Sequence, residues 1–192
     1  MNENLEGKCI IVSAPSGAGK TTIVKALLRD LPMLSFSISA CSREPRSNEV
    51  DGKDYYFVGV EGFKKLIAEQ AFIEWEEVYE NNFYGTLREE INRIWSNKKV
   101  VVFDVDVIGG LRLKEIFSTQ ALSIFIQPPS IMELENRLRS RNTESEEKIN
   151  MRVNKAKIEL SKSTDFDVTV VNEVLTFAIS EAKEQVLKFI EK

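Results

Sequence analysis

Residues 9–22 read CIIVSAPSGAGKTT, and this stretch decides the fold. Its first six residues are continuously apolar or small, with β-branched residues, as expected for a strand buried on both faces. Its end, Gly19-Lys20-Thr21, opens a helical pattern over 20–31 that places Ile23, Leu27, Leu28 and Leu31 on one stripe. Between them lies the pattern G-x-x-x-x-G-K-[ST], except that Ala14 stands at the first glycine. Such a strand–loop–helix surrounds a phosphate with backbone N–H groups at the positive end of the helix. The residues assigned to phosphate are Ala14, Pro15, Ser16, Gly17, Ala18, Gly19, Lys20, Thr21 and Thr22. Lys20 would reach the outer phosphates as a point charge, and the Thr21 hydroxyl would ligate Mg²⁺. Pro15 favours an extended Ala14, so the missing glycine is expected to leave the loop working.

The remaining composition narrows the chemistry. The 192 residues suffice for one core with an inserted subdomain, and 43% apolar with 29% charged residues is ordinary for a globular protein. A net charge of −4 argues against a nucleic-acid binder. No apolar run approaches the roughly 20 residues of a membrane span. The opening MNENLEGK lacks the layout of a signal peptide. With only Cys9 and Cys41, a reducing cytoplasm is the expected location. Histidine is absent, which excludes Ser-His and Cys-His nucleophilic pairs.

Three further runs, VVVFDV (100–105), LSIFIQ (122–127) and DVTVVN (167–172), read as buried parallel strands. Helical patterns separate them, including 131–160 and 174–190, which gives an α/β layered fold. Residues 35–60 differ: SFSISACS and DYYFVGV alternate polar and apolar, as strands with one wet face do. Residues 35–95 therefore read as an inserted lobe that turns polar groups towards a cleft.

Two constellations carry the rest of the chemistry. VVVFDVD ends a strand on Asp104 and Asp106, either able to hold a metal through water or to position a partner group. The insert supplies Ser39, Arg43, Arg46, Tyr55, Glu74, Tyr84 and Thr86. Two arginines three apart with nearby tyrosines suit a phosphomonoester. A carboxylate such as Glu74 matches guanine's N1–H and N2–H donors, whereas adenine presents an acceptor at N1.

At these residues the sequence resembles the guanylate kinases, which transfer phosphate from ATP to GMP. The resemblance runs through IIVSAPSGAGKTT, the S-x-x-x-R-x-x-R spacing of Ser39 to Arg46, GKDYYFV, FIEW, FYGT, DVDVIGG, IFIQPPS, RLRSRNTESEEKINMR and VVNE. It implies a P-loop core of residues 1–34, 97–130 and 160–192, a GMP-binding lobe of 35–96 and a helical lid of 131–159. It implies that Ser39, Glu74, Thr86 and one of Asp104 and Asp106 read the base, and that Arg43, Arg46, Tyr55 and Tyr84 hold the GMP phosphate. Lys20 and the lid arginines Arg137, Arg141 and Arg152 would be catalytic. Asn172 would lie on the adenine side, and Thr21 would hold Mg²⁺, with Asp104 acting through water. ATP and GMP are the implied partners, with a monomer and a homodimer both open.

Three positions depart from the family pattern: Ile108 replaces a glutamine, and Asn142 and Asn48 replace glycines. Asparagine tolerates left-handed backbone, so the last two are mild. Glu144, Glu146, Glu147 and Lys148 read as a solvent-facing helical surface, and Trp75 and Trp95 as packing residues. Two rivals are a scaffold module that binds peptides in the same cleft and a kinase for another nucleoside monophosphate. The intact Gly19-Lys20-Thr21 speaks against the first, and Glu74 with the arginine pair against the second.

Overall fold

The computed structural model describes residues 7–47, 49–140 and 145–192; Arg141, Asn142 and Asn48 lie outside them. In chain order the elements are β1 (Cys9–Ser13), α1 (Lys20–Asp30), β2 (Leu34–Phe36), β3 (Ala40–Cys41), β4 (Tyr56–Phe57), α2 (Gly59–Ala68), β5 (Phe72–Tyr79) and β6 (Asn82–Leu87). They continue with α3 (Arg88–Ser96), β7 (Val100–Val105), α4 (Val107–Phe117), β8 (Ala121–Gln127), α5 (Ile131–Ser140), α6 (Glu146–Leu160), β9 (Val168–Val171) and α7 (Leu175–Ile190).

The four runs read as buried strands pair in parallel, joined by β2, in the order β2-β7-β1-β8-β9. Their side chains alternate between two cores with the period of a strand. Ile10, Val12, Val100, Val102, Leu122, Ile124 and Ile126 face α1 and α7. Cys9, Ile11, Val101, Phe103 and Val105 face α3 and α4. On α7 the buried residues Ala178, Ala182, Val186 and Ile190 recur every fourth position, so one stripe covers the sheet. Each fully buried Val, Leu or Ile in these layers contributes about 1.5–3 kcal/mol.

A second sheet, in the order β4-β3-β6-β5, builds the lobe. Phe63 from α2 stacks on Phe72 and Phe83, with ring centroids 4.5 and 5.5 Å apart. Gly85 makes this possible: a Cβ there would lie 2.7 Å from the Phe72 ring. The two sequence runs of the insert fold differently from their reading as two strands. SFSISACS splits, because Leu34–Phe36 joins the parallel sheet beside β7 while Ala40–Cys41 pairs with β4 and β6. DYYFVGV gives only the two-residue β4, after which α2 begins at Gly59. The buried carboxylate of Glu90 on α3 ties these pieces together, accepting from Ile38 N, the Tyr56 hydroxyl and the Arg93 guanidinium.

Helices α5 and α6 pack on each other through Leu134, Leu138, Ile149, Val153 and Ala156. Leu138 also lies over the phosphate loop, 3.1 Å from where a Cβ on Gly17 would sit. Trp95 packs edge-on against Phe117 and donates its Nε1–H to Lys8 O, as a packing residue does. Trp75 is 39% exposed.

Candidate functional site

The phosphate loop leaves the C-terminal end of the central strand β1, where open parallel sheets place their ligand crevices. Gly17 and Gly19 turn it with φ of +94° and +97°, values that L side chains adopt only under strain. Ala14 is not among the described residues with positive φ, so the missing glycine imposes no left-handed backbone there. The Lys20 ammonium lies 2.6 Å from Asp104 Oδ1 and donates to Val105 O at 2.5 Å. The Thr21 hydroxyl donates to Asp104 Oδ2 at 3.3 Å. Asp104 near the end of β7 and Lys20 and Thr21 at the start of α1 are thus one cluster.

Asp106 plays a different part. It caps α4, its Oδ1 accepting from Gly109 N at 2.8 Å, which holds the helix start against the cleft. Gly109 is also where Glu74 approaches: a Cβ there would come within 3.0 Å of Glu74 Oε2. Glu74 is 8% exposed and accepts the Thr86 hydroxyl at 2.7 Å. Burial pushes its carboxyl up to about 7, with Asp106 adding to the rise and Thr86 opposing it.

In the lobe, Arg43 stacks on Tyr55 and Phe57, 5.1 and 5.4 Å from their ring centroids, and donates from Nε to the Tyr84 hydroxyl at 3.0 Å. Burial, and then Asp104, raise the Tyr55 phenol well above its usual range, so it stays protonated. Arg46 is more exposed and approaches Glu49 at 3.8 Å. The guanidinium of Arg43 holds the Glu49 carboxyl below the usual range.

One cleft of about 320 Å³ joins these groups. The phosphate loop and Asp104 line one side of it, and Ser39, Arg43, Arg46, Tyr55, Glu74 and Tyr84 line the other. Both volume and lining suit a small-molecule site. Of the lid arginines, Arg152 reaches in and donates to the Ser16 hydroxyl at 3.0 Å. Arg137 turns instead to Glu133 and to Asn172 O, at 2.8 and 3.1 Å, and Arg141 falls outside the described residues. Thr86 and Ala18 are fully buried rather than lining the cleft. Asn172 is 4% exposed, and its Nδ2 donates to Ala18 O at 2.8 Å, so in the structure it braces the phosphate loop.

The sequence reading did not single out Lys155, Glu159 or Glu49. Arg152, Lys155 and Glu159 share one face of α6, and all three line the cleft. Lys155 lies 3.9 Å from Asp106, 3.6 Å from Glu159 and 5.1 Å from the Tyr79 ring. Burial raises Glu159 to about 6 while Lys155 lowers it. The i, i+3, i+7 spacing from Arg152 was the available signal. Nothing in the sequence around Glu49 sets it apart from the other acids of its turn.

A family model for guanylate kinase matches residues 6–191. Guanylate kinase of Porphyromonas gingivalis is 46% identical over 186 residues, covering 96% of this chain and 99% of that one. Guanylate kinase of Bacteroides thetaiotaomicron is 44% identical over 190 residues, covering 99% and 93%. Among solved structures, guanylate kinase from Anaplasma phagocytophilum superposes with a TM-score of 0.75 at 30% identity, covering 97% of this chain and 85% of that one. With a family model matched over nearly its whole length and relatives 44–46% identical to it, the chain belongs to the guanylate kinase family.

Proposed function

We propose that the cleft transfers the γ-phosphoryl group of ATP to a phosphate oxygen of GMP, giving ADP and GDP, with each side of the cleft holding one nucleotide. Guanylate kinases are phosphotransferases that act on GMP, and this chain is one of them by family. The observation that carries the detailed reading is the single cleft shared by Lys20 and Thr21 on one side and by Glu74, Arg43 and Tyr84 on the other. Phosphoryl transfer needs placement, charge neutralisation and exclusion of water rather than a protein nucleophile, which suits a chain without histidine.

On the acceptor side, Glu74 accepts from guanine N–H groups and is oriented by Thr86, with Ser39 also lining the cleft. Arg43, Arg46, Tyr55 and Tyr84 hold the monophosphate. On the donor side, the backbone N–H groups of residues 14–22 hold ATP phosphates, and Lys20 with Arg152 spreads the developing charge. Thr21 and Asp104 offer a hydroxyl and a carboxylate 3.3 Å apart, hard oxygen donors that fit Mg²⁺. Among the described residues no group of three or more His, Cys, Asp or Glu could hold a metal ion by itself, so phosphates and water would have to complete the shell. Bound there, Mg²⁺ would supply neutralisation of phosphate charge. Residues 35–96 act as the acceptor lobe and 131–159 as the lid over the core, closing to exclude water.

A coupled ADP-release assay with Mg·ATP and separate GMP, AMP, CMP and UMP tests this. Turnover confined to GMP (with dGMP as the near analogue) is expected. Equal turnover with AMP would overturn the role of Glu74. ATP binding without turnover on any acceptor would favour a peptide-binding scaffold.

A further inference from the structure

The Glu49 carboxylate does not line the cleft, yet it fixes the residues that do. Its Oε2 accepts from Arg43 Nη1 at 2.6 Å and its Oε1 from Arg43 Nη2 at 2.7 Å. The same Oε2 accepts from the main-chain N of Arg46 at 2.9 Å. One carboxylate therefore holds both arginines of the clamp. Counting N–H groups shows what it leaves over. A guanidinium has five. On Arg43, Nε–H goes to the Tyr84 hydroxyl, the two Nη1 hydrogens go to Glu49 and to Glu44 O, and one Nη2 hydrogen goes to Glu49. One Nη2–H remains. The Tyr84 hydroxyl accepts from Arg43, and among the described residues its own hydrogen also remains to donate. Both residues line the cleft.

We propose that Glu49 is the positioning residue of the phosphate clamp. By occupying the end edge of the Arg43 guanidinium, it turns the side edge, with Tyr84 on it, towards an incoming phosphomonoester. This rests on the reading of the acceptor as GMP. The alternative is an internal carboxylate that competes with the phosphate for Arg43, and it predicts the opposite sign.

The test compares binding of GMP and of guanosine, which lacks the phosphate, to wild type and to Glu49→Gln by titration calorimetry, with steady-state KM values for both nucleotides. In Glu49→Gln, GMP is expected to bind about tenfold or more weakly, from loss of the charge-assisted fork. Guanosine affinity and the KM for ATP should stay within about twofold. Glu49→Asp keeps the charge but is one methylene too short to reach both nitrogens and the Arg46 amide. It should show the same selective loss, to a smaller extent, and it carries the test if the Gln variant does not fold. GMP affinity unchanged or improved in the variants would overturn the positioning role. So would parallel losses of GMP and guanosine, which would mark a merely structural residue. Wild type that does not prefer GMP to guanosine would instead overturn the acceptor reading itself.

Discussion

Glu74 is a buried ionisable group on the proposed acceptor side of the cleft. On the proposed reading its carboxylate offers two acceptors to guanine, but burial has moved its titration to about 7. Below that pH the free protein holds it protonated and one acceptor is lost. The expected result is a fall in kcat/KM for GMP of about tenfold per unit below pH 7, with kcat/KM for ATP flat. GMP's own phosphate titrates near pH 6, so the decisive comparison is Glu74→Gln, in which the component near 7 should vanish. Stability carries the same signature with a defined sign. The folded value lies above the ordinary 4.5, so the contribution is complete below about 4.5 and is lost as the pH rises to about 7. Glu74→Gln should therefore gain on wild type between these limits, by an amount on the order of 1–3 kcal/mol, read from melting midpoints. A parallel pH course for the two proteins would contradict it.

Among the elements, the loop between β1 and α1 is tightly constrained at Gly17 and Gly19. Gly19 is left-handed, and a Cβ on it would lie 2.3 Å from Asn172 Nδ2. Gly19→Ala should cost about 1–3 kcal/mol of stability from backbone strain. It should also raise the KM for ATP, because Asn172 can no longer brace Ala18 O; an unchanged KM for ATP would show the brace to be irrelevant. This loop was legible from sequence because its glycines answer a local demand, the positive φ of Gly17 and Gly19. The four strands were legible for a similar reason, since runs such as VVVFDV are apolar on both faces only in a covered parallel sheet. The short strands were not. Leu34–Phe36 is decided by pairing with Val100–Val102, and Ala40–Cys41 by pairing with Tyr84 and Gly85, contacts that no local pattern announces. Glu49 was hidden for the same reason: its meaning lies in the fork it makes with Arg43, six residues away in a turn.

Across the whole molecule, the two sides of the cleft belong to separate sheets, and α6 touches both. Lys155 lies near Asp106, the α4 cap just beyond β7 of the parallel sheet, and over Tyr79 of the lobe. Filling one side alone should order that side, whereas filling both should draw β5–β6 and α6 together. Hydrogen exchange should therefore show protection of the 72–87 hairpin and of 146–160 greater with ATP analogue plus GMP than the sum of the two alone. Simple additivity would remove the case for coupled closure. The position of β1 has a further consequence for how the chain is made. Residue 9 pairs with residues 101 and 121, so the strand that carries the phosphate loop gains its neighbours only after most of the chain has been synthesised. Such distant pairings form slowly. A growing or refolding chain can form the helical stripe of 20–31 early, yet cannot grip a nucleotide until the far strands dock. Nucleotide capture is thus a late event in this protein's biogenesis, and fluorescent ATP-analogue binding should recover in the slowest refolding phase.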